Sequence, residues 1–151
     1  YYSPEAPGAA IRIGYCCGYE ADALSLVGNA YEGGYDPTSF WFTSNQPAPY
    51  SINVMWLVDL TVTDAGGDPV QGASVMLTGT GETVQALTGA DGTAGLTATQ
   101  YRLSGTNQRE ATTSERADVT PHALLVTAEG HDPFSDTISV GENIERTIAL
   151  P

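Results

Sequence analysis

Lysine is missing from this 151-residue sequence: five arginines are its only permanent cations, against eighteen aspartates and glutamates. The net charge of −13 excludes a nucleic-acid partner, because nothing here neutralises a row of phosphates. It also argues against docking on an anionic membrane. Long apolar runs are missing too. The most apolar stretch, Ile52–Val62, is interrupted by Asn53 and Asp59, well short of the roughly 20 residues of a spanning helix. Cysteine is confined to the adjacent pair Cys16-Cys17, so no long-range disulfide closes within the chain. Two cysteines and two distant histidines have neither zinc-ligand nor haem-attachment spacing. Helical periodicity is nearly absent: the one candidate helix, Glu20–Val27 (EADALSLV), runs straight into Gly28-Asn29. The chain opens on Tyr1 without a signal-peptide pattern, as expected of a mature product or an excised fragment.

What is present is strand alternation. Glycine (17) and proline (9) punctuate the chain, and from Trp56 onward turn signals recur about every 8–12 residues. The pattern predicts strands near Trp56–Thr63, Ala73–Thr78, Thr83–Thr88, Thr93–Thr99, His122–Ala128, Phe134–Val140 and Ile144–Leu150. Asp64-Ala65-Gly66-Gly67-Asp68-Pro69, Gly130-His131-Asp132-Pro133 and Gly141-Glu142-Asn143 supply turn chemistry, and Ala90-Asp91-Gly92 reads as a hairpin. The expected fold is all-β, a seven-stranded antiparallel sandwich over 56–151 with an additional β-rich segment over 1–55. Leu60/Val62, Val75/Leu77, Leu124/Val126, Ile138/Val140 and Ile148/Leu150 are expected to face inward. The polar segment Gln100–Pro121 reads as a solvated insertion or extended edge hairpin, or as a contact with a partner subunit.

The order Val62-Thr63-Asp64, Gly67-Asp68-Pro69-Val70-Gln71-Gly72-Ala73-Ser74-Val75, Thr88-Gly89-Ala90-Asp91-Gly92-Thr93-Ala94 and Val126-Thr127-Ala128-Glu129-Gly130-His131 resembles the carboxypeptidase regulatory-like family. The resemblance covers about Trp56–Leu150 and implies an immunoglobulin-like or transthyretin-like sandwich, usually a non-catalytic module of secreted proteins. Two positions depart from the family pattern: Ala94-Gly95-Leu96 replaces an aromatic after the Asp-Gly turn, and Gly130-His131 replaces Gly-Tyr. Ala10–Gly14 and Ala23–Gly33 also resemble consecutive rungs of a parallel β-helix, each short strand ending at a glycine or Gly-Asn corner. The alternative for this first third is a set of antiparallel strands at Ile11–Tyr15, Leu24–Val27, Phe40–Thr43 and Ile52–Trp56.

Eleven of the thirteen aromatic residues fall within the first 56 positions. Consecutive Phe40-Trp41-Phe42 on a strand puts rings on both faces. One face can pack on the sandwich, while the other needs a subunit, a sugar ring or more of the chain. Phe40, Trp41, Phe42, Tyr31, Tyr35 and Trp56 are therefore the candidate interface residues. For Cys16 and Cys17, three states stand open: buried small hydrophobes, a cross-link to another chain, or a vicinal disulfide. His122 and His131 read as ordinary surface histidines, with no nucleophile-elbow serine or cysteine near them. Turn aspartates Asp64, Asp68, Asp91, Asp132 and Asp136 make Ca²⁺ the one cofactor worth weighing, although turn chemistry alone explains them. No catalytic motif is present, and no other cofactor is expected. These features point to an extracellular or cell-surface structural protein that forms a homo-oligomer or polymer through its N-terminal segment, as a filament or surface layer. The alternative is an accessory or carbohydrate-binding module of a larger secreted β-helix enzyme or adhesin.

Overall fold

The computed structural model describes residues 11–13, 21–30, 32–33, 40–42, 47–107 and 113–151. All regular elements among them are strands: β1 (Ile11–Ile13), β2 (Ala21–Val27), β3 (Phe40–Phe42), β4 (Ala48–Thr63), β5 (Ser74–Gly79), β6 (Glu82–Leu87), β7 (Thr93–Asn107), β8 (Glu115–Asp118), β9 (His122–Thr127), β10 (Phe134–Ile138) and β11 (Ile144–Ala149). The stretch read as a candidate helix is strand β2. Its alternating Leu24, Leu26 and β-branched Val27 suit a ladder, and eight residues before a Gly-Asn stop are too few to sustain an isolated helix.

The chain divides into two compact units, one of residues 1–54 with 102–117 and one of 55–101 with 118–151. In the second unit, β10-β9-β5-β6 form one sheet, antiparallel throughout. A second sheet follows the order β11-β4-β7-β8. Period-two alternation in each strand turns one row of side chains to a shared core. All ten residues expected inward are buried, and Val58, Ala94, Leu96 and Ala98 join them in one cluster. Thr, Ser, Asp and Glu occupy most of the outward positions, which keeps the outer faces wet.

Two features of the ladder differ from a wholly antiparallel sandwich. Strand β11 lies parallel to β4, with Ile144 opposite Val58 and Ala149 opposite Thr63. The 139–143 connection links β10 in one sheet to β11 in the other, so no hairpin imposes an antiparallel return. Ala90-Asp91-Gly92 likewise joins β6 to β7 across the two sheets and is a corner, not a hairpin between paired strands. The corner is tight: Gly92 has φ of 74°, and a Cβ there would lie 2.5 Å from the Val62 carbonyl oxygen. Asp91 Oδ1 accepts from the Thr93 amide and hydroxyl, and these bonds hold its carboxyl below the usual carboxylate range. At the preceding corner, Asp64 Oδ1 accepts from the amides of Gly66 and Asp68, and Gly67 supplies the positive φ.

In the first unit, β1 and β3 pair in parallel, with Ile11 opposite Phe40 and Ile13 opposite Phe42, in place of the antiparallel arrangement weighed from the sequence. Strand β2 pairs with β4, so among the described residues the two segments that resemble β-helix rungs do not pair with each other. Strand β4 begins at Ala48, which brings the buried side chains of Tyr50, Ile52 and Val54 into this unit. The polar insertion is an extended hairpin. The Thr113 amide donates to the Thr106 carbonyl, and the Val119 amide to that of Gln100, the constant register sum of an antiparallel β7–β8 pair.

Candidate functional site

Of the six candidate interface residues, the backbones of Phe40, Trp41 and Phe42 form β3, while their side chains, like all of Tyr31 and Tyr35, lie outside the described residues. The same holds for Cys16 and Cys17. Trp56 is described: it is half-buried against the sandwich core, and its indole Nε1 donates to Gln100 Oε1 at 2.9 Å. Its ring therefore has an intrachain place, and the indole N–H has the acceptor that a buried tryptophan requires. Tyr50, at the N-terminal end of the same strand, is 3% exposed, and its hydroxyl donates to the Thr113 carbonyl at 3.0 Å.

Three of the five turn aspartates, Asp64, Asp91 and Asp136, are engaged in local bonding. Beyond Asp64 and Asp91, Asp136 Oδ1 accepts the Thr137 amide and Oδ2 pairs with Arg146 at 2.6 Å. Both contacts, the backbone bond first, hold the Asp136 carboxyl below its ordinary range. Arg146 also lies over the Phe134 ring, 5.7 Å from its centroid. This side chain on β11 thus ties the edge of one sheet to β10 at the edge of the other. Among the described residues, no three His, Cys, Asp or Glu side chains are grouped to hold a metal ion.

One polar cluster was not anticipated. His122, read from the sequence as a surface residue, is 0% exposed. It opens β9 on the inward register shared with Leu124 and Val126. Its ring lies against Gly79, where a Cβ would come within 2.7 Å of Nε2. Only a glycine at that place in the facing strand leaves room for the imidazole. Nε2 is 3.5 Å from Glu82 Oε1, and Nδ1 has no hydrogen-bond partner. Glu82 reaches from β6 across to the opposite sheet. Its Oε1 accepts the Thr99 amide at 2.9 Å, and its Oε2 accepts the Thr99 hydroxyl. The carboxylate stands between hydroxyl and imidazole, so His122 is not placed to take the Thr99 proton, as the order of a nucleophilic triad requires. The arrangement clasps one sheet to the other. The signal that finds it is small: a glycine opposite an inward-register histidine, with a glutamate at the head of an otherwise uncharged strand.

Strands β10 and β6 end the first sandwich sheet and β11 and β8 end the path of the second, with β2 pairing β4 off that path. Strand β10 carries Asp136, β11 carries Glu145 and Arg146, and β8 is Glu-Arg-Ala-Asp, exposed along its length. Strand β6 differs. Glu82 is turned inward, and Thr83–Leu87 (TVQAL) bears no charge and no proline, with Leu87 66% exposed.

No protein-family model matches the chain, and no curated protein shows significant similarity to it.

Proposed function

We propose that this chain is a non-catalytic structural protein of the cell exterior that assembles with copies of itself, through its N-terminal segment 1–55, into a filament or surface layer. The observation that carries this reading is the β1–β3 ladder. It is a parallel pair of two three-residue strands, and among the described residues no third strand joins it. Two strands do not make an independently stable sheet, and parallel strands are normally covered on both faces. A neighbour's strands would supply the missing cover, and Phe40-Trp41-Phe42 place the chain's heaviest aromatic load at that point. Residues 56–151 would then be the outward module, of the carboxypeptidase regulatory-like kind. In support, the residues of that resemblance lie at turns and in the core: Gly67, Gly72 and Gly92 have positive φ, and Ala73, Val75 and Val126 are buried.

Electron microscopy and light scattering of the full chain test the proposal. With −13 charges per subunit, association is expected to strengthen with added salt or Ca²⁺. Trp41→Ser is expected to abolish ordered particles while the circular dichroism of the sandwich is kept. A monodisperse monomer at every salt concentration refutes the proposal and moves the search to glycan arrays.

A further inference from the structure

We infer a second self-association surface, distinct from the N-terminal segment: the free edge of β6, over Thr83–Leu87, pairs antiparallel with the same edge of a second copy. Strand β6 ends its sheet, with β5 on one side only. The direction of its backbone groups follows from the ladder. Thr88 N–H donates to the Ala73 carbonyl, and antiparallel hydrogen-bonded pairs alternate. Ala86 and Val84 therefore exchange bonds with Val75 and Leu77 in the β5 register. The N–H and C=O groups of Thr83, Gln85 and Leu87 point away from β5, where the described residues provide no partner.

Charge selects the occupant. Proteins guard open edges with charges, prolines or bulges, and β10, β11 and β8 all carry charged side chains, while Thr83–Leu87 carries none. The one acid of β6, Glu82, is drawn inward by Thr99 and presents no charge at the edge. For a subunit of net charge −13, contact between copies at most surfaces opposes carboxylates. At this edge it opposes none. A register centred on Gln85 is self-complementary, as a two-fold axis requires. Gln85 then faces its own copy, and Thr83 faces Leu87 of the partner, each through outward-pointing N–H and C=O groups. Leu87, the most exposed large apolar side chain described, gains the methyl of the partner's threonine as cover. Val84 and Ala86, already half-buried against the core, line up across the axis and continue the interior face from one copy into the next.

The test is hydrogen exchange of the full chain at two concentrations, with sedimentation on the same samples. The expected result is a dimer whose Thr83, Gln85 and Leu87 amides exchange at least about tenfold more slowly in the concentrated sample, while the Val84 and Ala86 amides are protected in both. Gln85→Pro removes a donor that β5 does not use, so the native ladder is kept and the dimer weakens at least about tenfold. Leu87→Glu, at an exposed position, places a carboxylate on the edge and has the same effect should the proline variant fail to fold. A mass independent of concentration, or a dimer whose three amides still exchange freely, overturns the inference. Open-ended particles with the three amides protected, lost on Trp41→Ser but not on Leu87→Glu, also overturn it, because they identify a neighbour's N-terminal strand as the occupant. If Trp41→Ser abolishes filaments and leaves the β6 dimer, the two surfaces are independent.

Discussion

Glu82→Ala tests whether one carboxylate holds the two sheets of the sandwich together. The substitution strips the acceptor from the Thr99 amide and hydroxyl and from the neighbourhood of a fully buried imidazole. A hydrogen bond to a charged group contributes about 1.5–3 kcal/mol net, so two of them set an upper range of about 3–6 kcal/mol. The Glu82 side chain is 11% exposed, and water entering its place recovers part of that, leaving an expected loss of about 2–4 kcal/mol. In urea, with a slope of about 2 kcal/mol per molar, the unfolding midpoint falls by roughly 1–2 M at unchanged slope. Glu82→Gln keeps an acceptor for the amide and offers its own N–H to the Thr99 hydroxyl, so only the charge is lost and the cost is about 1 kcal/mol. A cycle with Thr99→Val isolates the pair, with a coupling of about 1–3 kcal/mol expected. A midpoint shift for Glu82→Ala no larger than that for an outward threonine such as Thr137→Ala refutes the argument.

Two further outcomes follow from the corners and edges. Gly92→Ala must hold a side chain at φ of 74° and push its Cβ against the Val62 carbonyl and Pro69. A loss of about 2–4 kcal/mol is expected, read as a lowered midpoint in thermal unfolding, and an unchanged melting temperature contradicts the tight corner. Asp136 titrates below the ordinary aspartate range in the folded chain because Thr137 and Arg146 stabilise its charged form. Its contribution is present above the unfolded-state pKa and fades as pH falls through the folded value. Carboxyl NMR should show that low midpoint moving upward in Arg146→Ala, and an unmoved midpoint removes Arg146 as a cause.

Local chemistry carried much of the sandwich. Leu60/Val62 and Ile148/Leu150 alternate with polar neighbours, and alternation is a property of single strands that sequence displays directly. Asp64, Gly67 and Pro69 announce their corner in the same way, because turn residues answer to their own φ and hydrogen bonds. Which strands a turn connects is a different matter. Ala90-Asp91-Gly92 is identical chemistry whether the next strand pairs with the last or crosses to the other sheet, and the parallel placement of β11 leaves no local mark. His122 was misread for a related reason. Its burial depends on Gly79 and Glu82, forty or more positions away, and a histidine at a strand start looks the same wet or dry. The reach of β7 to Asn107 is hidden because its alternation there rests on two buried side chains, Tyr101 and Leu103, too few among polar neighbours to display a strand period.

The parallel placement of β11 against β4 also has a mechanical consequence. If tension is drawn along the chain from the start of β4 to the end of β11, the two strands are pulled past each other along their length. Every bond between Val58–Thr63 and Ile144–Ala149 then resists at once. An antiparallel hairpin pulled at its open end surrenders its bonds one after another. Loaded in that direction, the parallel pair resists in shear along its whole length.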